Sequence, residues 1–91
     1  MMRQVHTSTA FEKDIERLMR RNKDLEKLKS LIRSLVRGEK LDPIYRDHKL
    51  TGNYFGYRDC HVESDWLLIY KYDEETLFLI RTGTHADLFK K

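Results

Sequence analysis

Cysteine and proline each occur once in this 91-residue chain, as Cys60 and Pro43. A lone cysteine excludes an internal disulfide and fits a reducing compartment. No run approaches the ~20 apolar residues needed to span a bilayer. The opening MMRQVHTSTAF also lacks the apolar core of a signal peptide. The expected setting is therefore the cytoplasm, with no membrane partner. Glycine never gathers into a phosphate-binding loop: Gly52 and Gly56 stand too far apart, and Gly83-Thr84-His85 lacks the lysine. There is no HExxH and no cysteine pair. The intervals between His48, His61 and His85 match no compact zinc motif, so neither a metal nor another cofactor is expected. A Ser-His-Asp hydrolase is poorly supported, since Ser64 falls in a turn between two apolar runs. Pro/Gly-rich linkers, repeats and low-complexity stretches are missing too.

What is present fits one domain over residues 1–91. The chain is 40% hydrophobic and 36% charged, and five Tyr, four Phe and one Trp suffice to anchor a core. A core of this size stabilises by at most ~10 kcal/mol, so each buried polar group must be paired or useful. The formal charge is only +3, but the basic excess lies in residues 1–40, densest from Arg17 to Arg37. Such a field suits a polyanion or an acidic partner, and equally a solubilising helix surface.

Arg3 to His6 reads as a short opening strand. Thr9-Ala-Phe-Glu12 has capping-box spacing, with Thr9 as the cap. Phe11, Ile15, Leu18 and Met19 then form a helical stripe that stops near Asn22. Leu25, Leu28, Leu31, Ile32, Leu35 and Val36 form a second stripe ending before Gly38. After the break at Leu41-Asp42-Pro43 comes a loop with a short strand near His48 to Leu50. Tyr57–Val62, Trp66–Tyr72 and Leu77–Thr82 read as strands joined by short turns, hence antiparallel neighbours. The expected class is α+β, with two helices packed on one face of a small curved antiparallel sheet.

Strand alternation puts Tyr57, Asp59 and His61 on one face, with Arg58, Cys60 and Val62 on the other. Cys60 reads as a small core hydrophobe, because no neighbour activates a thiol. Asp59 and His61 are less easily absorbed. They read either as a satisfied structural pair or as a site where a carboxylate sets an imidazole's proton affinity. His48 lies in the irregular YRDHKLTG and His85 follows the last strand in RTGTHADLF. Return strands can bring both to the Asp59/His61 face. Arg81 adds positive charge there or pairs with an acid. Asp65 reads as a turn cap or a site acid, Phe89 as terminal packing and Trp66 as core. Histidines, an acid and basic surface suit RNA cleavage, in which a base deprotonates the ribose 2′-OH and an acid protonates the departing 5′ oxygen.

The ordered series YRDH, L-x-G, GYRDxHVExDWLLIY and RTGTHxxLF closely resembles the YafQ toxins within the RelE/ParE superfamily, across nearly the whole chain. The resemblance implies a RelE-like fold and a ribosome-dependent endoribonuclease cutting mRNA in the ribosomal A site. By this resemblance His85 is the general acid, and His48 and His61 share base and phosphate-stabilising work. Asp59 and Asp65 tune or orient imidazoles, and Phe89 positions a base; Arg81 is expected to contact substrate on account of its charge, not of the resemblance. It also implies a cognate antitoxin, with operator DNA met only through the antitoxin complex. Cys60 stands where these toxins often have a small residue, and Lys49 where proline is common; neither change removes a proposed catalytic group. The alternative is a non-enzymatic binding or regulatory protein that uses its basic helices.

Overall fold

A computed structural model describes residues 2–89, so Met1, Lys90 and Lys91 of the expected 1–91 unit lie outside the described residues. The elements are β1 (Gln4–Thr7), α1 (Thr9–Arg20), α2 (Glu26–Val36), β2 (His48–Lys49), β3 (Arg58–Glu63), β4 (Trp66–Tyr72), β5 (Thr76–Gly83) and α3 (His85–Phe89). Single 3-10 turns at Pro43–Tyr45 and Gly52–Tyr54 flank β2.

The cap of α1 is Ser8, one residue earlier than the sequence spacing suggests. Its Oγ accepts the Phe11 N–H at 2.9 Å. The reason is tertiary: the Ser8 N–H bonds the Leu79 carbonyl at 3.0 Å, and its hydroxyl donates to the Ile80 carbonyl at 2.6 Å. Tied to β5, Ser8 stays extended, and Thr9 becomes the first helical residue. Asn22, in the left-handed region at φ 58°, ends this helical segment as expected.

The sheet order is β1-β5-β4-β3-β2. Among themselves the last four strands in sequence pair antiparallel. The sheet is nonetheless mixed, because β1 lies parallel to β5, from Gln4 beside Thr76 to Thr7 beside Leu79. Parallel neighbours need a long crossover, and here nearly the whole chain lies between them.

Two unequal cores cover the two faces. On one, Phe11, Leu18, Leu28, Leu31 and Leu35 of α1 and α2 pack on Cys60, Val62, Leu68, Tyr70, Leu77 and Leu79. Cys60 is sealed inside, and burial pushes its thiol up to about 12, which fits the reading as a small hydrophobe. The other face carries a smaller cluster of Leu67, Ile69 and Leu88, edged by Leu50, Tyr54, Tyr57 and Ile80. The remainder of that face is free for polar side chains.

Candidate active site

Pairing across the sheet builds the site row by row. His48 sits opposite Asp59, Asp59 opposite Ile69 and Ile69 opposite Arg81. The next row holds His61, Leu67 and Gly83, and His85 begins α3 just beyond. Between Leu79 and Arg81 the ladder shifts, leaving Ile80 as an extra residue in β5. Such a bulge re-aims the side chains that follow it. The result is a file of imidazoles, with His48 and His61 ring centres 6.5 Å apart and His61 and His85 6.0 Å apart.

β2 is two residues long and is pinned by the residue before it. Both Asp47 oxygens accept from the Arg58 guanidinium at 3.1 Å, and the Tyr70 hydroxyl also donates to Asp47. Burial and this bond raise the Tyr70 pKa, while Asp47 raises that of Arg58. His48 is thereby held with Nδ1 at 2.7 Å from the Arg46 carbonyl oxygen. A carbonyl only accepts, so Nδ1 carries the hydrogen and a neutral ring presents its Nε2 lone pair. Asp59 Oδ1 lies 3.1 Å from the same Nδ1. It is close enough to attract a protonated ring but is not aligned as a hydrogen bond. That oxygen is buried without a hydrogen-bond partner among the described residues. Burial raises the Asp59 pKa, partly countered by the charges of His48, His61 and His85.

His85 is positioned by a different device. Asp65, in the β3–β4 turn, accepts the His85 N–H at 3.0 Å and its Nδ1–H at 2.6 Å. The backbone bond, followed by the ring bond, lowers the Asp65 pKa. Thr84 and Asp87 form a reciprocal cap: the Thr84 N–H reaches Asp87 Oδ2 at 3.0 Å and the Asp87 N–H reaches Thr84 Oγ1 at 3.1 Å. Arg21, the residue after α1, grips both Asp87 oxygens at 3.0 and 3.2 Å, which pulls the Asp87 pKa well below the usual range. Gly83 makes this approach possible, since a Cβ there would stand 2.9 Å from Asp87 Oδ2. Phe89 follows one turn after His85, ring centres 6.4 Å apart, and Tyr54 packs edge-on against it at 5.7 Å.

Arg81 shares the sheet row with Asp59, yet its guanidinium is turned to α1. Nε donates to Asp14 Oδ2 at 2.7 Å and Nη2 to Asp14 Oδ1 at 2.9 Å. Of the two readings open for Arg81, pairing with an acid is the one realised, and the acid lies on a helix. Of the other expected site residues, His48, Asp59, His61, Asp65, His85 and Phe89 gather on the smaller-core face. Among the described residues, no group of three or more His, Cys, Asp or Glu is arranged to hold a metal ion. No described helix is long and apolar enough to cross a membrane.

A family model described as the bacterial toxin of type II toxin–antitoxin systems, YafQ, matches residues 3–90. The chain belongs to the YafQ family. It is 44% identical over 90 residues to the mRNA interferase toxin YafQ of Escherichia coli K12, covering 98% of both chains. Its fold is similar to the crystal structure of the E. coli DinJ–YafQ toxin–antitoxin complex, with a TM-score of 0.89 at 44% identity over 98% of this chain and 99% of that one. A metal-bound toxin from Helicobacter pylori gives 0.88 at 38% identity, over 98% and 100%.

Residue chemistry and the YafQ resemblance point to the imidazoles and to Asp59 and Asp65, but not to the groups that hold these in place. Asp47, Arg58 and Tyr70 behind His48, and Arg21, Thr84 and Asp87 behind His85, were not singled out. Thr84-His85-Ala86-Asp87 has capping-box spacing after a strand, a signal available in the sequence. Asp14 also interrupts the apolar stripe of α1 between Phe11 and Leu18, which marks a buried acid in need of a partner. The Asp47 cluster left no comparable trace, because its partners come from three separate segments.

Proposed function

We propose that this YafQ-family chain is an endoribonuclease, an mRNA interferase that cuts mRNA in the ribosomal A site by acid–base chemistry without a metal. The observation that carries the reading is the file of His48, His61 and His85, offered by three different elements and backed by two carboxylates. His48 is the base: its Nε2 takes the proton of a ribose 2′-OH, and the new imidazolium meets the open oxygen of Asp59. The alkoxide attacks the adjacent phosphorus to form a 2′,3′-cyclic phosphate. The P–O5′ bond breaks, and His85 gives its proton to the departing 5′ oxygen. His61, between them, donates to the phosphoryl oxygens as negative charge builds. Asp65 orients His85, and Phe89 offers a ring to a base. Arg81 is held by Asp14 and takes no part in these steps.

A cognate antitoxin is the proposed partner, supported by the likeness to YafQ in its complex with DinJ. The basic surface of α1 and α2 is proposed to meet the antitoxin or ribosomal RNA, and operator DNA is reached only through the antitoxin. The proposed setting is the cytoplasm, where the ribosomes are.

The test is primer extension on mRNA from translating ribosomes, comparing the native chain with His85→Ala, with and without EDTA. Removing the acid is expected to slow cleavage by about 10²–10⁴-fold. Native cutting is expected to persist in EDTA. Undiminished cutting by a folded His85→Ala rejects the acid, and loss of cutting in EDTA restored by zinc rejects metal independence. Ribosome binding without cuts would favour a non-enzymatic regulator.

A further inference from the structure

Arg46 has φ 52°, in the left-handed region that L side chains rarely enter. The conformation has a backbone use. It closes the Pro43–Tyr45 turn through the Arg46 N–H bond to Pro43 O at 3.0 Å, and it presents the Arg46 carbonyl to His48. Glycine would do both without a Cβ penalty. Asn22, the other non-glycine residue at positive φ among the described residues, has a short polar side chain that tolerates the region. Arginine has no such excuse, so the reason for it lies in its side chain.

That side chain lines an open cleft of about 780 Å³, together with Lys27, Ile44, Tyr45, His61 and Glu63. Four other cations around the site are committed. Lys23 and Lys27 stand 2.9 and 3.5 Å from Glu63, Arg58 is held by Asp47 and Arg81 by Asp14. The Arg46 guanidinium has no carboxylate partner among the described residues. It is therefore a planar, uncommitted cation beside the imidazole file. Its fork geometry suits two oxygens of a phosphodiester. Ile44, 74% exposed, and Tyr45 give the same cleft an apolar wall on which a base can lie.

We infer that Arg46 holds a backbone phosphate of single-stranded RNA in this cleft, next to the nucleotide carried by His61. The inference rests on the nuclease reading for its RNA, and two separate measurements keep them apart. The first is binding of a short, fully 2′-O-methylated RNA, which lacks the attacking hydroxyl, by fluorescence anisotropy over a salt series. Arg46→Gly is expected to weaken binding by about tenfold, as for a lost charged hydrogen bond, and to lower the salt slope by about 0.7. Arg46→Lys restores part of both. The thermal midpoint of Arg46→Gly is expected to equal or exceed that of the native chain, because glycine accepts the backbone conformation. Unchanged binding by Arg46→Gly overturns the inference, and so does a lowered midpoint, which would put the arginine in service of the fold. The second is cleavage on translating ribosomes. A native chain that never cuts, with Arg46→Gly still weakening RNA binding, sinks the nuclease reading and leaves the phosphate contact standing. Native cutting with an Arg46→Gly KM unchanged sinks the contact and leaves the nuclease.

Discussion

Asp14 and Asp59 are both buried, 1% and 4% exposed, yet their surroundings are opposite. Asp14 accepts from Arg17, twice from Arg81 and from the Thr82 N–H. Burial alone would raise its pKa, but the bonds to Arg81, Thr82 and Arg17 outweigh that and lower it. Asp59 has an oxygen with no hydrogen-bond partner among the described residues, and burial raises its pKa. The saturated carboxylate clips α1 to the free edge of β5 beyond the reach of β1. The unsaturated one faces the histidines, with an acceptor unspent until an imidazole becomes charged. Where the fold needs a fixed charge it supplies donors, and where the proposed chemistry needs a responsive one it withholds them.

The comparison breaks most severely at Asp14. Asp14→Ala strands the Arg81 guanidinium and the Thr82 N–H, and is expected to cost about 3–5 kcal/mol in urea unfolding, as for a buried pair losing one member. A loss below ~1 kcal/mol would show that the clip is dispensable. Asp59→Asn keeps the shape while removing the buried charge. Stability is expected to stay within about 1 kcal/mol of the native value or rise, while cleavage on ribosomes falls by about 10–100-fold. A variant that unfolds, or one that cuts at the native rate, would reverse the roles assigned to the two acids.

The smallest effect is the sharpest in sign. For Asp59 the folded pKa lies above the usual 3.8. Between those values the native state holds more protons than the unfolded chain, so this group's contribution improves as pH falls. For Asp14 the folded pKa lies below 3.8. Its contribution is whole above 3.8 and is lost as pH drops through the folded value. Urea midpoints taken from pH 6 downward should therefore show the native chain gaining on Asp59→Asn as 3.8 is approached. Below 3.8 it should lose its advantage over Asp14→Asn. Parallel curves for either pair would contradict the pKa direction on which it depends.

These acids also mark how far the sequence could be read. Asp59 was visible because period-two alternation put it beside His61 on a strand, and His48 and His85 because they flank regular elements. The apolar stripes of α1 and α2 gave the helix-covered core. Asp14 lies on the apolar face of α1, but two of its three partners, Arg81 and Thr82, lie on β5 far along the chain, where no local pattern names them. The parallel pairing of β1 was hidden for the same reason: no turn joins β1 to β5, and local pattern carries no record of a neighbour reached through the whole fold. The Ser8 cap moved by one residue because β5, rather than the helix, decides where the chain stops being extended.

That closure between β1 and β5 has a consequence for timing. Gln4 finds Thr76, Ser8 finds Ile80 and Asp14 finds Arg81, so residues made early wait for residues made late. Contacts of such long sequence separation form slowly and only after the intervening chain exists. A nascent chain still short of Gly83 has neither the strand that clips α1 nor His85, which follows it. It carries the helices, His48 and His61, but not the assembled file. The topology thus delays the proposed activity until synthesis has passed the last strand, and a toxin built this way does not begin to work while most of it is still being made.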